Sequence, residues 1–355
     1  MSLETVKPKA LRQALLPYVA PSAPIAWALF LGTLAVYGGA IGIAGFSAAP
    51  LWSRVLAAIV AGGAIPSLFV IGHDAAHGGY TVSARGNAVI ARVAFLPSLH
   101  NYSLWVAVHN RRHHRVPNLK GSNSWSPLSP TEFRALSAIR RARERLYRSP
   151  LGFAPYYLVE RWWRDKFFPR ADFPGVSRAA AWRDFALLCV YLALFVAALA
   201  WAGGAMSIML GFVMPFLIWN MMMGATTYLQ HTSRRAPWFA SEAAWRGAAR
   251  DEDVTVHLRV PRWYGLISHH IMEHPAHHIQ PRIPLYRLAA AQARLNELLG
   301  ERALIEDFSP RYLLATMRAC KLYDYDAGAW CDFAGNPTAA ADPAGCRVEL
   351  AGQTA

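Results

Sequence analysis

The chain has 355 residues and a formal net charge of +14, with 54% of its residues hydrophobic and only 16% charged. This composition favours a membrane protein over a soluble one. A basic protein can also bind nucleic acid, but the basic residues here flank apolar stretches and no nucleic-acid motif is visible. We therefore expect contact with anionic membrane lipid and no nucleic-acid partner.

The first predicted elements are an N-terminal segment and two apolar helices. Residues 1–22 form a basic segment, after which residues 24–46 and 55–71 run without Lys, Arg, Asp or Glu. An apolar stretch of about 18 or more residues is typical of a membrane-spanning helix. Two spans are therefore predicted in this part of the chain.

Two histidine boxes follow the second span. The first box is His73-Asp74-Ala75-Ala76-His77 and the second is His109-Asn110-Arg111-Arg112-His113-His114. Histidines four apart share one face of a helix, so each box should present its pair together, with His114 about a quarter-turn away. The apolar stretch 89–108 between the boxes is broken by Pro97 and His100, and is predicted to be re-entrant or interfacial rather than spanning.

The middle of the chain is basic and is followed by two further apolar stretches. Residues 131–183 alternate arginines with aromatic residues, which is typical of helices lying along lipid headgroups. Residues 185–201 and 206–228 are uncharged and complete a set of four predicted spans. His231 follows the fourth span directly.

The third box, His274-Pro275-Ala276-His277-His278, lies near the end of the predicted catalytic region. We assign residues 23–320 to one membrane-embedded catalytic domain and residues 321–355 to a soluble C-terminal tail. The four cysteines form no CxxC pair, which indicates reduced, unpaired thiols.

The distribution of Lys and Arg predicts the orientation of the spans. The connections at 47–53 and 203–205 carry neither residue, whereas the N-terminus and the long middle stretch are rich in both. By the positive-inside rule, both termini and all three boxes are cytoplasmic. The predicted fold is therefore an all-α integral membrane protein of four transmembrane helices, with a cytoplasmic helical cap that holds a histidine-rich di-metal site. We place it in a bacterial inner membrane.

The boxes predict a metal site because a neutral imidazole is a good ligand for Fe, Zn, Cu or Ni. A structural zinc needs about four ligands, so eight histidines in three boxes indicate two ions. Asp74 and Glu273 are candidates to orient ligating imidazoles or to bind metal themselves. The alternatives are scattered histidines without a metal, or a metal transport or sensing protein, although a transporter should place its ligands near the bilayer midplane.

The pattern HX3H, HX3HH and HX2HH, with an additional Gln-His before Thr232, resembles the integral-membrane fatty acid desaturase family. That family also includes related hydroxylases, carotenoid ketolases and decarboxylases that form 1-alkenes from fatty acids. The resemblance runs from about residue 72 to about residue 288. It includes residues 118–121 after the second box and residues 269–274 before the third.

The resemblance implies two Fe ions, O2 as co-substrate, a fatty acid or acyl-lipid substrate, and an electron donor such as ferredoxin with its reductase. His270 is implied as a further ligand or as a residue that orients one. The implied ligands are His73, His77, His109, His113, His114, His231, His274, His277 and His278.

Two departures from the family pattern stand out. Ser122-Asn123 replaces an acidic residue, a change expected to bear on substrate positioning and not on metal binding. Pro275 makes a regular helix through the third box doubtful, although proline is tolerated in a first helical turn.

Of the reactions that the family performs, we predict insertion of a C=C bond into an acyl chain. The main alternative is conversion of a free fatty acid to a 1-alkene and CO2. Acyl hydroxylation and carotenoid ketolation rank after it as further alternatives. Decarboxylation requires the carboxylate beside the metals, where Arg111, Arg112 or Arg115 would hold it through paired hydrogen bonds.

Overall fold

The computed structural model describes residues 8–169, 176–248 and 250–340, and these are predominantly helical. The α-helices are α1 Pro8–Leu15, α2 Ala23–Phe46, α3 Leu51–Ala76, α4 Ala84–Phe95, α5 Tyr102–Val108, α6 Pro130–Ala135, α7 Ala138–Tyr147, α8 Phe153–Tyr156, α9 Arg178–Ile208, α10 Met214–Leu229, α11 Glu242–Ala248, α12 Asp251–Val254, α13 Arg262–Ile267, α14 His274–Ile279, α15 Leu285–Leu299 and α16 Pro310–Ala319.

Short non-α elements complete the described chain. The π-helices are His109–His113, Tyr157–Phe167 and Met209–Val213, and the 3-10 turns are Leu16–Tyr18, Pro150–Gly152 and Gly300–Arg302. The strands are β1 His257–Arg259, β2 Ile305–Asp307, β3 Leu322–Asp324, β4 Ala329–Cys331 and β5 Pro337–Ala340. Strands β1 and β2 pair in parallel, and β3, β4 and β5 form an antiparallel sheet in that order.

Three helical runs among the described residues are long and apolar enough to span a membrane. They are Ala23–Phe46, Leu51–Ala76 and Arg178–Leu229. The predicted stretches 24–46 and 55–71 fall in the first two runs, and the stretches 185–201 and 206–228 both fall in the third.

The third run reverses direction at a glycine pair. Gly203 and Gly204 have non-helical backbone angles, and Gly204 has a φ of +60°, which favours glycine. A Cβ on Gly211 would lie 2.6 Å from Cδ2 of Leu199, so these two residues are in contact. In an unbroken helix they would be about 18 Å apart along the axis. The run is therefore two helices that pack against each other.

Helix α3 is central and packs closely on α10. A Cβ on Gly62 would lie 2.7 Å from the Cβ of Ile218, so the glycine is what permits this close approach. Further along α3, the Phe69 ring contacts Phe95 and Trp219 with centroids 5.0 and 4.8 Å apart. These aromatic contacts fix the end of α3 that carries the first histidine box.

The stretch 89–108 does not form a single long helix. It contains the end of α4 and all of α5, which begin after the side-chain caps of Ser83 and Asn101. Asp184 of α9 holds both helices, because its carboxylate accepts from Arg92 at 2.7 Å and from the Ser103 hydroxyl at 2.6 Å.

The described parts of the basic middle segment, residues 131–169 and 176–183, are mostly helical, but one side of the π-helix there is buried in the protein. In the π-helix Tyr157–Phe167, the side chains of Tyr157, Trp162 and Phe167 join the main core. The indole of Trp162 also donates to the carbonyl of Leu99 at 2.9 Å. Contact with lipid is therefore restricted to the exposed side of this segment.

The described part of the C-terminal region packs on the loop that follows α10. Trp330 of β4 is fully buried with Tyr323 and Trp238, and its indole donates to the carbonyl of Ser233 at 3.0 Å. At the other end of the chain, Leu11 of α1 is buried against α14 and α15. The division at residues 22 and 320 stays a prediction.

We predict that Trp330→Ala detaches the C-terminal sheet. Removing a fully buried tryptophan costs about 3–5 kcal/mol, and here the carbonyl of Ser233 also loses one of its two donors, the other being the amide of Ala236. Limited proteolysis of purified protein should then release the segment after residue 320. Asp326→Asn, at an exposed turn in the same sheet, is the matched control and should remain resistant. Equal cleavage of both variants would contradict this packing.

Candidate metal centre

All nine histidines that the resemblance implies as ligands converge at one place. They form two groups, and within each group the potential ligand atoms lie within 4.8 Å of one another. The first group is His73, His77, His109, His114 and His277, and the second is His113, His231, His274 and His278. The histidines come from the end of α3, the π-helix after α5, the residues after α10, and α14.

In the first group, Nε2 atoms follow one another at short distances. Nε2 of His109 lies 3.1 Å from that of His73 and 3.0 Å from that of His114. Nε2 of His114 lies in turn 3.1 Å from that of His277. A neutral imidazole has one N–H, so hydrogen bonds alone cannot satisfy three successive contacts of this kind. A shared cation, facing only lone pairs, satisfies all of them.

The second group has the same character. Nε2 of His274 lies 2.9 Å from that of His231, and Nε2 of His278 lies 3.1 Å from that of His113. Imidazole nitrogens lie about 2.1 Å from a divalent metal, so two such ligands at a right angle are about 3.0 Å apart. Both groups therefore fit metal binding through Nε2.

The π-helix decides which histidine of the second box joins which group. The amide of His114 donates to the carbonyl of His109 at 3.0 Å, a bond across five residues. Residues five apart therefore share a face, and His109 lies with His114 while His113 joins the other group. The expectation of an α-helical pair of His109 and His113 is wrong for this reason.

The third box is a regular short helix, so the doubt raised by Pro275 is overturned. Helix α14 begins at His274, and Pro275 falls in its first turn, where a missing N–H removes no helical hydrogen bond. His274 and His278 are four apart and both belong to the second group, whereas His277 faces the first.

Three oxygen atoms orient the imidazoles from behind. Oδ1 of Asp74 lies 3.0 Å from Nδ1 of His73, and its Oδ2 accepts from the amide of Leu285 at 2.6 Å. The carbonyl of Val254 lies 3.2 Å from Nδ1 of His231. The third oxygen is on Asn123, 2.9 Å from Nδ1 of His113. Such partners place the proton on Nδ1 and leave Nε2 free to bind.

Asn123 lies at one of the departures from the family pattern, and the sequence analysis expected that change not to affect metal binding. The structure corrects this, because Asn123 contacts a ligand candidate directly. Its Nδ2 also donates to Oδ1 of Asn118 at 2.8 Å, and Asn118 donates to the carbonyl of His231. Asn118 has a φ of +57°, which asparagine tolerates better than most residues. The loop thus joins two histidines of the second group.

Burial keeps these imidazoles neutral. Burial, followed by repulsion from neighbouring histidines, holds the pKa values of His77, His109, His114, His274, His277 and His278 well below the usual range. Burial lowers the pKa of His231 to about 3, partly offset by its hydrogen bond to Val254. Neutral imidazoles have the free lone pairs that metal binding requires.

His270 and Glu273 lie outside both groups. Glu273 lies 3.4 Å from Nδ1 of His270 and 3.0 Å from Nε2 of His257, which the sequence analysis did not single out. Burial raises the pKa of Glu273, but these two histidines lower it more. His257 lies in no histidine box, and an isolated backbone bridge between His257 and Glu273 brings it beside the third box. The site places Asp74, not Glu273, against a ligand candidate.

The three arginines proposed to hold a carboxylate lie elsewhere. Arg111, Arg112 and Arg115 are exposed, and Arg115 pairs with Glu242 at 3.7 Å. Among the described residues, the basic side chains that line the cavity beside the histidines are Arg161 and Lys166.

An apolar cavity leads to the two groups. It extends from Gly63 and Pro66 on α3 to His73, His109, His113, His231 and His274. Trp105 and Trp219 form part of its wall, together with Phe69, Val70, Met222, Met223 and Ile267. A lining of this kind suits an apolar ligand.

The model of the fatty acid desaturase family matches residues 49–309, which is most of the chain. The chain belongs to the fatty acid desaturase family. The match begins before the first box and ends after the third, so it includes all nine histidines. The resemblance inferred from the boxes is confirmed.

Several relatives of known activity resemble this family member. An "Omega-6 fatty acid desaturase, chloroplastic" from Glycine max is 29% identical over 316 residues, which are 86% of this chain and 70% of the relative. An "sn-1 oleoyl-lipid 12-desaturase" from Synechocystis sp. is 27% identical over 303 residues, 85% of each chain. An "sn-1 acyl-lipid omega-3 desaturase (ferredoxin)" from Synechocystis sp. is 30% identical over 245 residues, 66% of this chain and 65% of the relative. The chain spans 66% of the length of the omega-6 desaturases from Spinacia oleracea and Brassica napus.

We predict that Asp74→Asn lowers iron affinity by about 10- to 100-fold, as is typical when a residue that orients a ligand is lost. An amide has one acceptor oxygen, so either His73 or the amide of Leu285 loses its partner. Iron retained per chain should be measured against a competing chelator. Glu273→Gln is the matched control and should behave as wild type, since Glu273 contacts neither group. Equal losses in both variants would refute the assignment.

Proposed function

We propose that this desaturase-family protein is an O2-dependent membrane enzyme that holds two iron ions and introduces a C=C bond into an acyl chain. One observation carries the proposal: nine buried or half-buried histidines form two adjacent groups where an apolar cavity ends. The relatives named as oleoyl-lipid and acyl-lipid desaturases favour an acyl lipid as substrate.

The iron ions, when bound, supply an oxidant strong enough to remove hydrogen from an unactivated methylene, which side chains alone cannot do. The chain's own residues hold, orient and isolate the reacting groups. Asp74, Asn123 and the carbonyl of Val254 fix three of the imidazoles, as described above. Trp105 and Trp219 form a wall that excludes water and keeps the acyl chain against the histidines.

We propose a one-electron carrier of the ferredoxin type, acting with its reductase, as the source of electrons. One relative is named for ferredoxin. A second, outer cavity shares Arg161 with the first and is lined in part by Asn123, the partner of His113. Five arginines and three acidic residues line this outer cavity, so its wall has an excess of positive charge, which suits an acidic carrier. The arginines are Arg112, Arg140, Arg143, Arg161 and Arg164.

We propose that the chain crosses a bacterial inner membrane four times, with both termini and the histidines on the cytoplasmic side. Arg54 supports this arrangement, because it donates to Ala44 at the end of α2 and to Ser207, just after the glycine turn. Both connections between spans therefore lie at one end. Arg54 and His73 are about 28 Å apart along α3, close to the ~30 Å hydrocarbon thickness of a bilayer.

Two observations count against the alternatives from the sequence. The arginines assigned to the carboxylate in 1-alkene formation are exposed and line no part of the apolar cavity. The histidines lie at the ends of the long helices, whereas a metal transporter places its ligands near the midplane.

We predict that purified protein carries two irons per chain and makes unsaturated acyl lipid when expressed with its reductant. His113→Ala and His277→Ala, one from each group, should each lower iron content and abolish product. His270→Ala, which removes an imidazole outside both groups, should keep both irons. Iron is measured by mass spectrometry, and products by gas chromatography of lipids and headspace gas. A single zinc, or a terminal alkene without new unsaturated lipid, would refute the proposal.

We predict that a cysteine introduced at Ala48 or Gly204 reacts with an impermeant reagent from outside intact cells. A cysteine at Lys120 should react only after the membrane is opened. Labelling at Lys120 from outside would exclude the proposed orientation.

A further inference from the structure

The wall of the apolar cavity contains two cations on one face of the second π-helix. Arg161 and Lys166 are five apart in Tyr157–Phe167, and both line the cavity that holds the histidines. In an α-helix, residues five apart point about 140° away from each other. The π-helix aligns them instead, and π-turns of this kind are frequent at functional sites.

Both cations are largely removed from solvent. Lys166 is only 7% exposed, and the side chain of Arg161 is 14% exposed. Burial and the nearby Arg161 lower the pKa of Lys166 to about 7. Charged groups are rarely buried without a partner of opposite charge, because their desolvation is costly.

The described residues do not balance this charge. Arg161 pairs with Asp165 at 2.9 Å, but its Nε is buried and has no hydrogen-bond partner within the described ranges. In that same part of the chain, no carboxylate lies within 4.0 Å of the Lys166 ammonium group. A ligand could therefore accept a hydrogen bond from the buried Nε of Arg161 and pair with the positive charge of Lys166.

We propose that Arg161 and Lys166 form the subsite that binds the oxyanion head of the substrate, the carboxylate of a free fatty acid or the phosphate of an acyl phospholipid. This rests on the proposed function and narrows its substrate class. Arg161 lines both the apolar and the outer cavity, so a head bound there lies at their junction. The tail then enters the apolar cavity, where it passes His113 and His109. The distance between this subsite and the metals sets which carbon is oxidised.

The test is equilibrium binding to the full-length, iron-loaded protein in a non-ionic detergent. The probes share one acyl chain: radiolabelled oleate, oleoyl lysophosphatidic acid and uncharged monooleoylglycerol. We expect an anionic probe to bind at least tenfold more tightly than the uncharged one. Arg161→Gln and Lys166→Gln should each lower the affinity for that anionic probe by about tenfold or more, which is the usual effect of losing a hydrogen bond to a charged group. The affinity for monooleoylglycerol should stay within about twofold of the wild-type value.

Arg178→Gln is the matched control, because Arg178 is an exposed arginine at the start of α9 that lines neither cavity. It should bind all probes as wild type does. Arg161→Lys and Lys166→Arg retain the charge and should restore most of the binding, which excludes misfolding as the cause of the loss. Tight binding of oleate alone identifies a free fatty acid as the substrate class. Tight binding of oleoyl lysophosphatidic acid alone identifies a phospholipid. Binding of both means that any oxyanion head suffices.

The proposal is overturned if wild type binds the three probes equally. It is also overturned if the Gln variants lower the affinity for monooleoylglycerol as much as the affinity for the anionic probes. An equal loss in Arg178→Gln would also overturn it. This readout does not depend on turnover. A protein that binds the anions through these residues but forms no double bond would refute the proposed function and leave the subsite standing.

Discussion

The structure depends on nine buried or half-buried imidazoles whose ring nitrogens face one another. Burial holds the pKa of most of them far below the usual range, so they do not repel as cations, but neutral Nε2 atoms about 3 Å apart still lack enough protons for mutual hydrogen bonds. Cations in the two groups would satisfy these lone pairs, and metal affinity would then contribute to the stability of this part of the protein.

The scaffold holds the histidines at the ends of helices and ties those ends together with polar contacts. Asp74 joins the end of α3 to the start of α15, and Asn118 with Asn123 joins the second box to the residues after α10. Helix ends can form such links because their first N–H groups and last C=O groups have no hydrogen-bond partner within the helix. Close helix packing at Gly62 keeps the apolar cavity between α3 and α10 narrow and enclosed.

Much of this was predictable from the sequence. The apolar stretches and the histidine spacing carry strong, local signals, and the nine candidate ligands do come together. The division of the nine histidines into two groups was not predictable. A π-helix at His109–His113 changes which residues share a face, and the spacing of the histidines does not indicate a π-helix. The contact of Glu273 with His257 was missed because it depends on an isolated backbone bridge that no local sequence pattern indicates. The role of Asn123 was missed because a single amide side chain indicates no particular partner.

The contact between His114 and His277 joins residues 163 positions apart in the chain. At a synthesis rate of about 5–20 residues per second, roughly 8–33 s separate their emergence from the ribosome. During that interval the first group has four of its five histidines and the second has at most two of its four. Neither group can therefore have its full set of histidines until α14, which carries His274, His277 and His278, has been synthesised.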